Sequence, residues 1–307
     1  MRSKAVSAIA ALRSGECQPL HASQLFRALA KDLQPKIKHA FKPTTSISSL
    51  EIESLCSSVS FKAAADDAHA VLTALSRLRL ELHADFVLRV GREGIAAALA
   101  DGQMRTAARI CSLLGVAGVQ WSVDEVRVIK GLIMSVCEEL EICHEEFGGD
   151  GLGYLCEAVV RFDLSSDEFT KLVILHAGKM HIPPLAILQI SRFLAFSGER
   201  SLDTWRLISR ETRKNLDCFT ARDLCFLLSD FAAVCIYDVS LVQKISLRLH
   251  ATAGSLSFSD CMSVAASLES LGHSDAALIS RLQRRLYTTS LVSPIAQLSI
   301  SPALLAS

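Results

Sequence analysis

Apolar residues in the last third of the chain recur at three- and four-residue intervals, stop together, and then begin again. In FTARDLCFLLSDFAAVCIYD, Phe219 to Asp238, they place Leu224, Leu227, Leu228 and Phe231 on one helical face. In LSFSDCMSVAASLESLGHSD, Leu256 to Asp275, Val264, Leu268 and Leu271 do the same. The two runs are offset by 37 residues, with Thr220 and Ser257, Asp223 and Asp260, Phe231 and Leu268, and Asp238 and Asp275 in register. Thr220-x-x-Asp223 and Ser257-x-x-Asp260 each set a hydroxyl at the cap and a carboxylate one turn in, which predicts a helix start. Ser48-x-x-Glu51, Ser122-x-x-Glu125 and Ser165-x-x-Glu168 predict starts upstream by the same device. After each run come a short polar turn, an aspartate and a second helix, DVSLVQKISLRLH in one copy and DAALISRLQRRLY in the next.

The series continues toward the N-terminus. Ile182 lies 37 residues before Phe219 and opens PPLAILQISRFLAF, whose Pro183 and Pro184 suit a first helical turn; DTWRLISRETRKNL follows. Phe147, 35 residues earlier, opens GGDGLGYLCEAVVRF and then SSDEFTKLVILHAGKM. With looser spacing, MRTAARICSLLG pairs with SVDEVRVIKGLIMSVCEEL, and KAAADDAHAVLTALSRLRL with HADFVLRVGREGIAAAL. That makes six helical hairpins, and SQLFRALAKDL offers a seventh. A lone hairpin cannot bury its apolar stripe, whereas stacked neighbours can, and stacking demands volume and spacing more than identity. The expected fold is all-α: an α-solenoid of six to seven stacked hairpins over residues 46–290, with a basic extension at 1–45 and an uncharged tail at 291–307.

Composition agrees with helix. Half of the 307 residues are hydrophobic, with only seven prolines. The chain is neutral overall, but residues 1–50 hold eight Lys/Arg against Glu16 and Asp32, so that segment is +6 and the remainder −6. Such a basic, Ser- and Ala-containing start has the composition of an organellar transit peptide; a short secretory core at Ala5–Leu12 and an ordinary surface helix are the alternatives. Ten cysteines are scattered singly, as small buried hydrophobes in a reducing compartment would be. No membrane span is expected. The uncharged stretch Ile110–Val123 is too short, and the tail is broken by Pro294 and Pro302.

Enzyme signatures fail in turn. GGDGLG at 148–153 has no Lys-Ser/Thr after it and no strand before it, so it reads as a turn between helices rather than a phosphate cradle. In CHEE, at 143–146, a zinc helix would need a second histidine four residues after His144, and position 148 is glycine. His176 and His181 are five apart, an awkward spacing for one helix face, and Cys143, His144 and Cys156 match no metal-ligand arrangement. No catalytic residue, metal, cofactor or small-molecule substrate is expected.

Charge, in contrast, segregates by helix in the C-terminal half. Within the second helices, residues 204–215 carry Arg206, Arg210, Arg213 and Lys214 against Glu211, residues 239–251 carry Lys244 and Arg248 with no acid, and residues 276–287 carry Arg281, Arg284 and Arg285 with no acid. The first helices of the last two hairpins carry Asp223, Asp230, Asp260 and Glu269 against Arg222. Those nine cations form a candidate stripe for an RNA backbone, or a solvated outer face. Lys31 to Lys42 is a second basic candidate. The acidic phrases DDAHA, CEELEICHEE and SSDE confine any nucleic-acid site to part of the molecule.

With its 37-residue step, its aspartate before each second helix, and phrases such as FTARDLCFLLSDFAAVCIYD and LTALSRLRLELHADFVLRV, the chain resembles the heptatricopeptide and octotricopeptide proteins and the helical repeats of FAST-kinase-like and RAP-domain proteins. The resemblance covers about residues 48–290. No RAP-like C-terminal domain is visible, so no nuclease-like activity carries over. It implies a mitochondrial matrix or other organellar protein acting on organellar RNA, most concretely an RNA-binding structural component of the mitochondrial ribosome, touching ribosomal RNA and neighbouring subunits. The alternative is a protein–protein scaffold or supernumerary subunit of a respiratory or other large complex, docking through apolar solenoid ends and the tail.

Overall fold

The computed structural model describes residues 65–78, 84–116, 119–164 and 166–292. Among them the protein is all-helical, with no strand: twelve α-helices and two short 3-10 turns. The helices are α1 (Ala65–Leu78), α2 (Ala84–Ala100), α3 (Met104–Val116), α4 (Val123–Ile142), α5 (His144–Arg161), α6 (Asp167–Ala177), α7 (Pro184–Phe196), α8 (Leu202–Lys214), α9 (Ala221–Ala233), α10 (Val239–Thr252), α11 (Phe258–Ser270) and α12 (Ala276–Val292). They stand where the six sequence pairs place them. The proposed seventh hairpin, the Ser48 cap, the basic N-terminal segment and the tail from 293 onward lie outside the described residues.

Two compact units divide after Ser197, between the two helices that the sequence reading joins as one hairpin. In the first, α1, α3, α5 and α7 pack each on the next, α2, α4 and α6 form a second row, and the pairs α1–α2, α3–α4 and α5–α6 close between the rows. In the second, α9 packs on α11, α8 on α10 and α10 on α12, while α9–α10 and α11–α12 are the pairs.

Local chemistry accounts for the helix ends. Ser122, Thr220 and Ser257 each accept the backbone N–H three residues on, while that residue's carboxylate accepts the cap's own N–H, satisfying two orphan donors at once. The start expected at Ser165 instead falls on Ser166, whose hydroxyl accepts from the Phe169 N–H. Asp238 and Asp275 receive the N–H groups of Leu241 and Leu278 at the heads of α10 and α12. At the C-terminal ends a left-handed residue follows α5, α7, α9 and α11: Asp163, Gly198, Cys235 and Gly272, the last three 37 residues apart. After α9 and α11 the next N–H closes back on the helix, Ile236 to the Phe231 carbonyl and His273 to that of Leu268, as a Schellman end requires.

GGDGLG corrects the sequence reading, because only its first residue turns. Gly148, at φ +59, kinks α5, and the remaining glycines are helical. A Cβ on Gly153 would sit 2.8 Å from the Cα of Ala186, so α5 and α7 touch where a side chain is missing.

Candidate functional site

Of the eight described cysteines, two are exposed and Cys143 is half-buried, departing from the buried role expected of them. Cys111, Cys137, Cys156, Cys225 and Cys261 are buried, but Cys218 and Cys235 are exposed in turns. Burial pushes the Cys137 thiol up to about 12, with Glu138 adding to the rise, and burial beside Asp260 and Cys261 does the same at Cys225. Such thiols are inert at neutral pH. His144 lies flat on His176, ring centroids 4.5 Å apart. His176 is only 3% exposed, and neither ring nitrogen has a hydrogen-bond partner. Burial lowers its pKa below the ordinary histidine value, with His144 and Lys179 adding to the fall. Among the described residues no group of three or more His, Cys, Asp or Glu is arranged to hold a metal ion.

The nine candidate cations of the second unit lie on a single row of helices, α8, α10 and α12, while Arg222 lies on α9. Since α8 packs on α10 and α10 on α12, their outward faces adjoin. Arg206, Arg210 and Lys214 fall one turn apart along α8, and Lys244 on α10 and Arg281 and Arg284 on α12 are exposed beside that line. Opposite charge on this face comes only from Asp203 and Glu211, which leaves the six cations a net +4.

Several of the nine residues also have work inside the chain. Arg206 pairs with Asp203 at 3.0 Å, fully in solvent, where such a pair contributes little. Arg210 and Lys214 both hold the buried Glu211 carboxylate, at 3.1 and 2.8 Å. Burial opposes the charge on Glu211, but the hydrogen bonds from Lys214 and Arg210 outweigh it and keep the carboxyl below its usual range. Arg213 lies 3.9 Å from Asp238, whose carboxylate also accepts from the Ser209 hydroxyl and the Leu241 N–H. Arg248 reaches back to Asp217, at 3.3 Å from its carboxylate, and Arg285 reaches back to the Leu256 carbonyl at 3.5 Å.

Those last two contacts are equivalent. Arg248 and Arg285 are 37 residues apart, and each ties its helix to the segment that follows the preceding second helix. Arg213, Arg248 and Arg285 are therefore partly occupied as braces. Lys244 and Arg281, also 37 apart, are exposed and have no acidic partner among the described residues. Arg284 gives only its Nε, to the Ser280 carbonyl.

The sequence reading missed the bracing. Ser209–Asp238, Tyr237–His273 (2.8 Å) and Arg222–Asp260 (3.9 Å) join residues 29 to 38 positions apart. The 37-residue step was the available signal, since it sets Asp238 and Asp275 at like places; Ser246, the counterpart of Ser209, is buried with its hydroxyl unpaired. The acid on the first helices also has a simpler origin than charge sorting, because Asp223 and Asp260 are the cap carboxylates of α9 and α11. No described helix is long and apolar enough to cross a membrane. No protein-family model matches the chain, and no curated protein matches it either.

Proposed function

We propose that the protein is a non-catalytic α-solenoid whose second unit holds a polyanion, single-stranded RNA in the first instance, along the outer face of α8, α10 and α12. One observation carries the reading. Lys244, Arg281 and Arg284 stand exposed on adjoining helices without an acidic partner, continuing the line of Arg206, Arg210 and Lys214. Phosphates spaced along a strand take up such a row, and guanidinium groups also stack on unpaired bases. Arg213, Arg248 and Arg285 support the face from within, by fixing one helix against its neighbour. The caps and left-handed turns that return every 37 residues support the solenoid, and with it the resemblance to organellar helical-repeat proteins. On that resemblance the setting is an organellar ribonucleoprotein, most concretely the mitochondrial ribosome. The transit-peptide composition that favours a mitochondrion falls on residues 1–50, outside the described part.

A second reading has its own observation. Phe258 and Met262 on α11 and Leu247 on α10 are exposed, and apolar surface of this kind marks interfaces. On this reading the protein is a scaffold or supernumerary subunit of a large complex. Sedimentation of the tagged native protein from a gentle lysate, with and without ribonuclease, separates the two. The RNA reading expects a large particle that ribonuclease collapses, with RNA co-purifying. A ribonuclease-resistant particle favours the scaffold.

A further inference from the structure

Leu247 is 73% exposed, more than any other large apolar residue described in the second unit. It lies on α10, the middle helix of the basic row, one turn past the exposed Lys244. Arg210 on α8 and Arg284 on α12 lie 37 residues to either side of it in the chain. All three stand the same number of positions past the residues at the heads of their helices, Ser201, Asp238 and Asp275. Because α8 packs on α10 and α10 on α12, with axes about 8–10 Å apart where helices touch, Leu247 lies between the two arginines. Other exposed apolar residues of the unit are set differently. Val239, also on α10, has Leu202 and Ala276 at its like positions, and Phe258 and Met262 lie on α11, outside the row.

The two arginines are held in the same way. Arg210 donates its Nε–H to the Glu211 carboxylate at 3.1 Å, and Arg284 donates its Nε–H to the Ser280 carbonyl at 3.3 Å. One N–H of each guanidinium is thus fixed within the chain, and the terminal nitrogens, which bond nothing else among the described residues, are left for a ligand. The aliphatic stems of the arginines do not close over the leucine, or it would not stand so far in water.

A ligand that fits this arrangement carries anionic groups on both sides of an apolar face. A duplex offers phosphates alone, with its bases paired and stacked inside. A single strand has phosphates in series and can turn an unpaired base between two of them onto the leucine. We propose that Leu247 seats an unpaired nucleobase whose flanking phosphates are held by Arg210 and Arg284. The proposal rests on the reading of this row as an RNA site, and adds to it a contact that phosphate cannot make.

The test is titration of the purified full chain with a fluorescently labelled oligouridylate and with the same strand carrying abasic sites in place of its uracils. Both strands offer the same phosphates. The native chain should hold the intact strand about fivefold more tightly, as expected from covering roughly half of one leucine. Leu247→Ser should bring the intact strand down to the affinity of the abasic one. Leu247→Trp, whose indole can stack on the base, should tighten the intact strand by about fivefold, a gain that no loss of folding can imitate. Binding that weakens with salt but treats the intact and abasic strands alike, or a Leu247→Trp variant that gains nothing, would overturn the base seat and leave the phosphate row standing. No binding of either strand would overturn the row, and the seat with it.

Discussion

The two units use the same helical hairpin but hold neighbouring hairpins together by different means. In the first, helices approach through missing side chains. A Cβ on Gly153 would meet Ala186 and Gln189, and one on Gly91 would lie 2.7 Å from Leu114. Polar contacts occur as well: Glu157 accepts from Ser112, Gln189 and Arg161, and Arg105 and Lys130 donate to the Phe147 and Asp163 carbonyls. In the second unit no helix glycine makes such a contact, and Gly198, Gly254 and Gly272 face open space. Side-chain bridges join its successive hairpins instead, from Ser209 to Asp238, Arg222 to Asp260 and Arg248 to Asp217. Close approach fixes helix spacing by volume, whereas bridging fixes it by charge and hydrogen bonding. The second means also puts cations on the outer row, and α4 and α6 of the first unit have no comparable excess of base over acid.

The contrast can be broken at single residues. Gly153→Val should have the largest effect, costing about 3 kcal/mol by overpacking α5 against α7. Hydrogen exchange resolved by segment should show faster exchange in α3, α5 and α7. Gly254→Ala, with nothing near its new Cβ, should change stability by less than about 0.5 kcal/mol.

Asp238→Ala should cost the second unit about 2 kcal/mol, since it removes both the cap of α10 and the Ser209 and Arg213 bridge. Asp275→Ala removes a cap and no bridge to Ser246, and should cost about half as much. Equal losses in urea denaturation would remove the bridge from the account.

Acid should reach the units at different pH. His176 has a lowered pKa, so the first unit's stability is fully present above the unfolded histidine value of about 6.5 and declines as pH falls from there toward the folded value. Burial opposes the charge on Asp238, but hydrogen bonds from Ser209 and Leu241 and the nearby Arg213 depress its pKa; Glu211 is depressed by Lys214 and Arg210. Their contribution is present above the ordinary carboxylate range and is lost only as pH falls below about 4. Exchange measured at pH 7, 5.5 and 4 should show α5 and α6 loosening first, and His176→Phe should abolish that early step.

One substitution should bring a gain. Cys235 occupies a left-handed turn where Gly198 and Gly272 sit at the like positions. Cys235→Gly should relieve the Cβ clash and stabilise the second unit by about 1 kcal/mol in thermal unfolding.

Helix positions and most caps were legible in the sequence because their causes are local. Thr220-x-x-Asp223 and Ser257-x-x-Asp260 act within one turn, and the 37-residue step placed Asp238 and Asp275 correctly. Ser165 misled because two adjacent serines both precede α6, and only backbone geometry chooses Ser166. GGDGLG misled because glycine signals either a turn or a close approach, and only the packing of α7 on α5 decides which. The basic row was legible as composition, but not the division between braces and open cations. Arg248 is a brace and Lys244 is open because of Asp217, which is 31 residues from Arg248 and on another segment.

The central claim is that the outer row of the second unit binds a phosphate backbone. It is tested most directly by the affinity of the purified full chain for single-stranded RNA at stepped salt, beside the variant Lys244→Glu, Arg281→Glu, Arg284→Glu. The account predicts a log–log slope of about −0.7 per phosphate held, hence about −3 to −4 for the native row, and a slope shallower by about 2 in the variant. An affinity indifferent to salt, or one the three reversals leave unchanged, would contradict it.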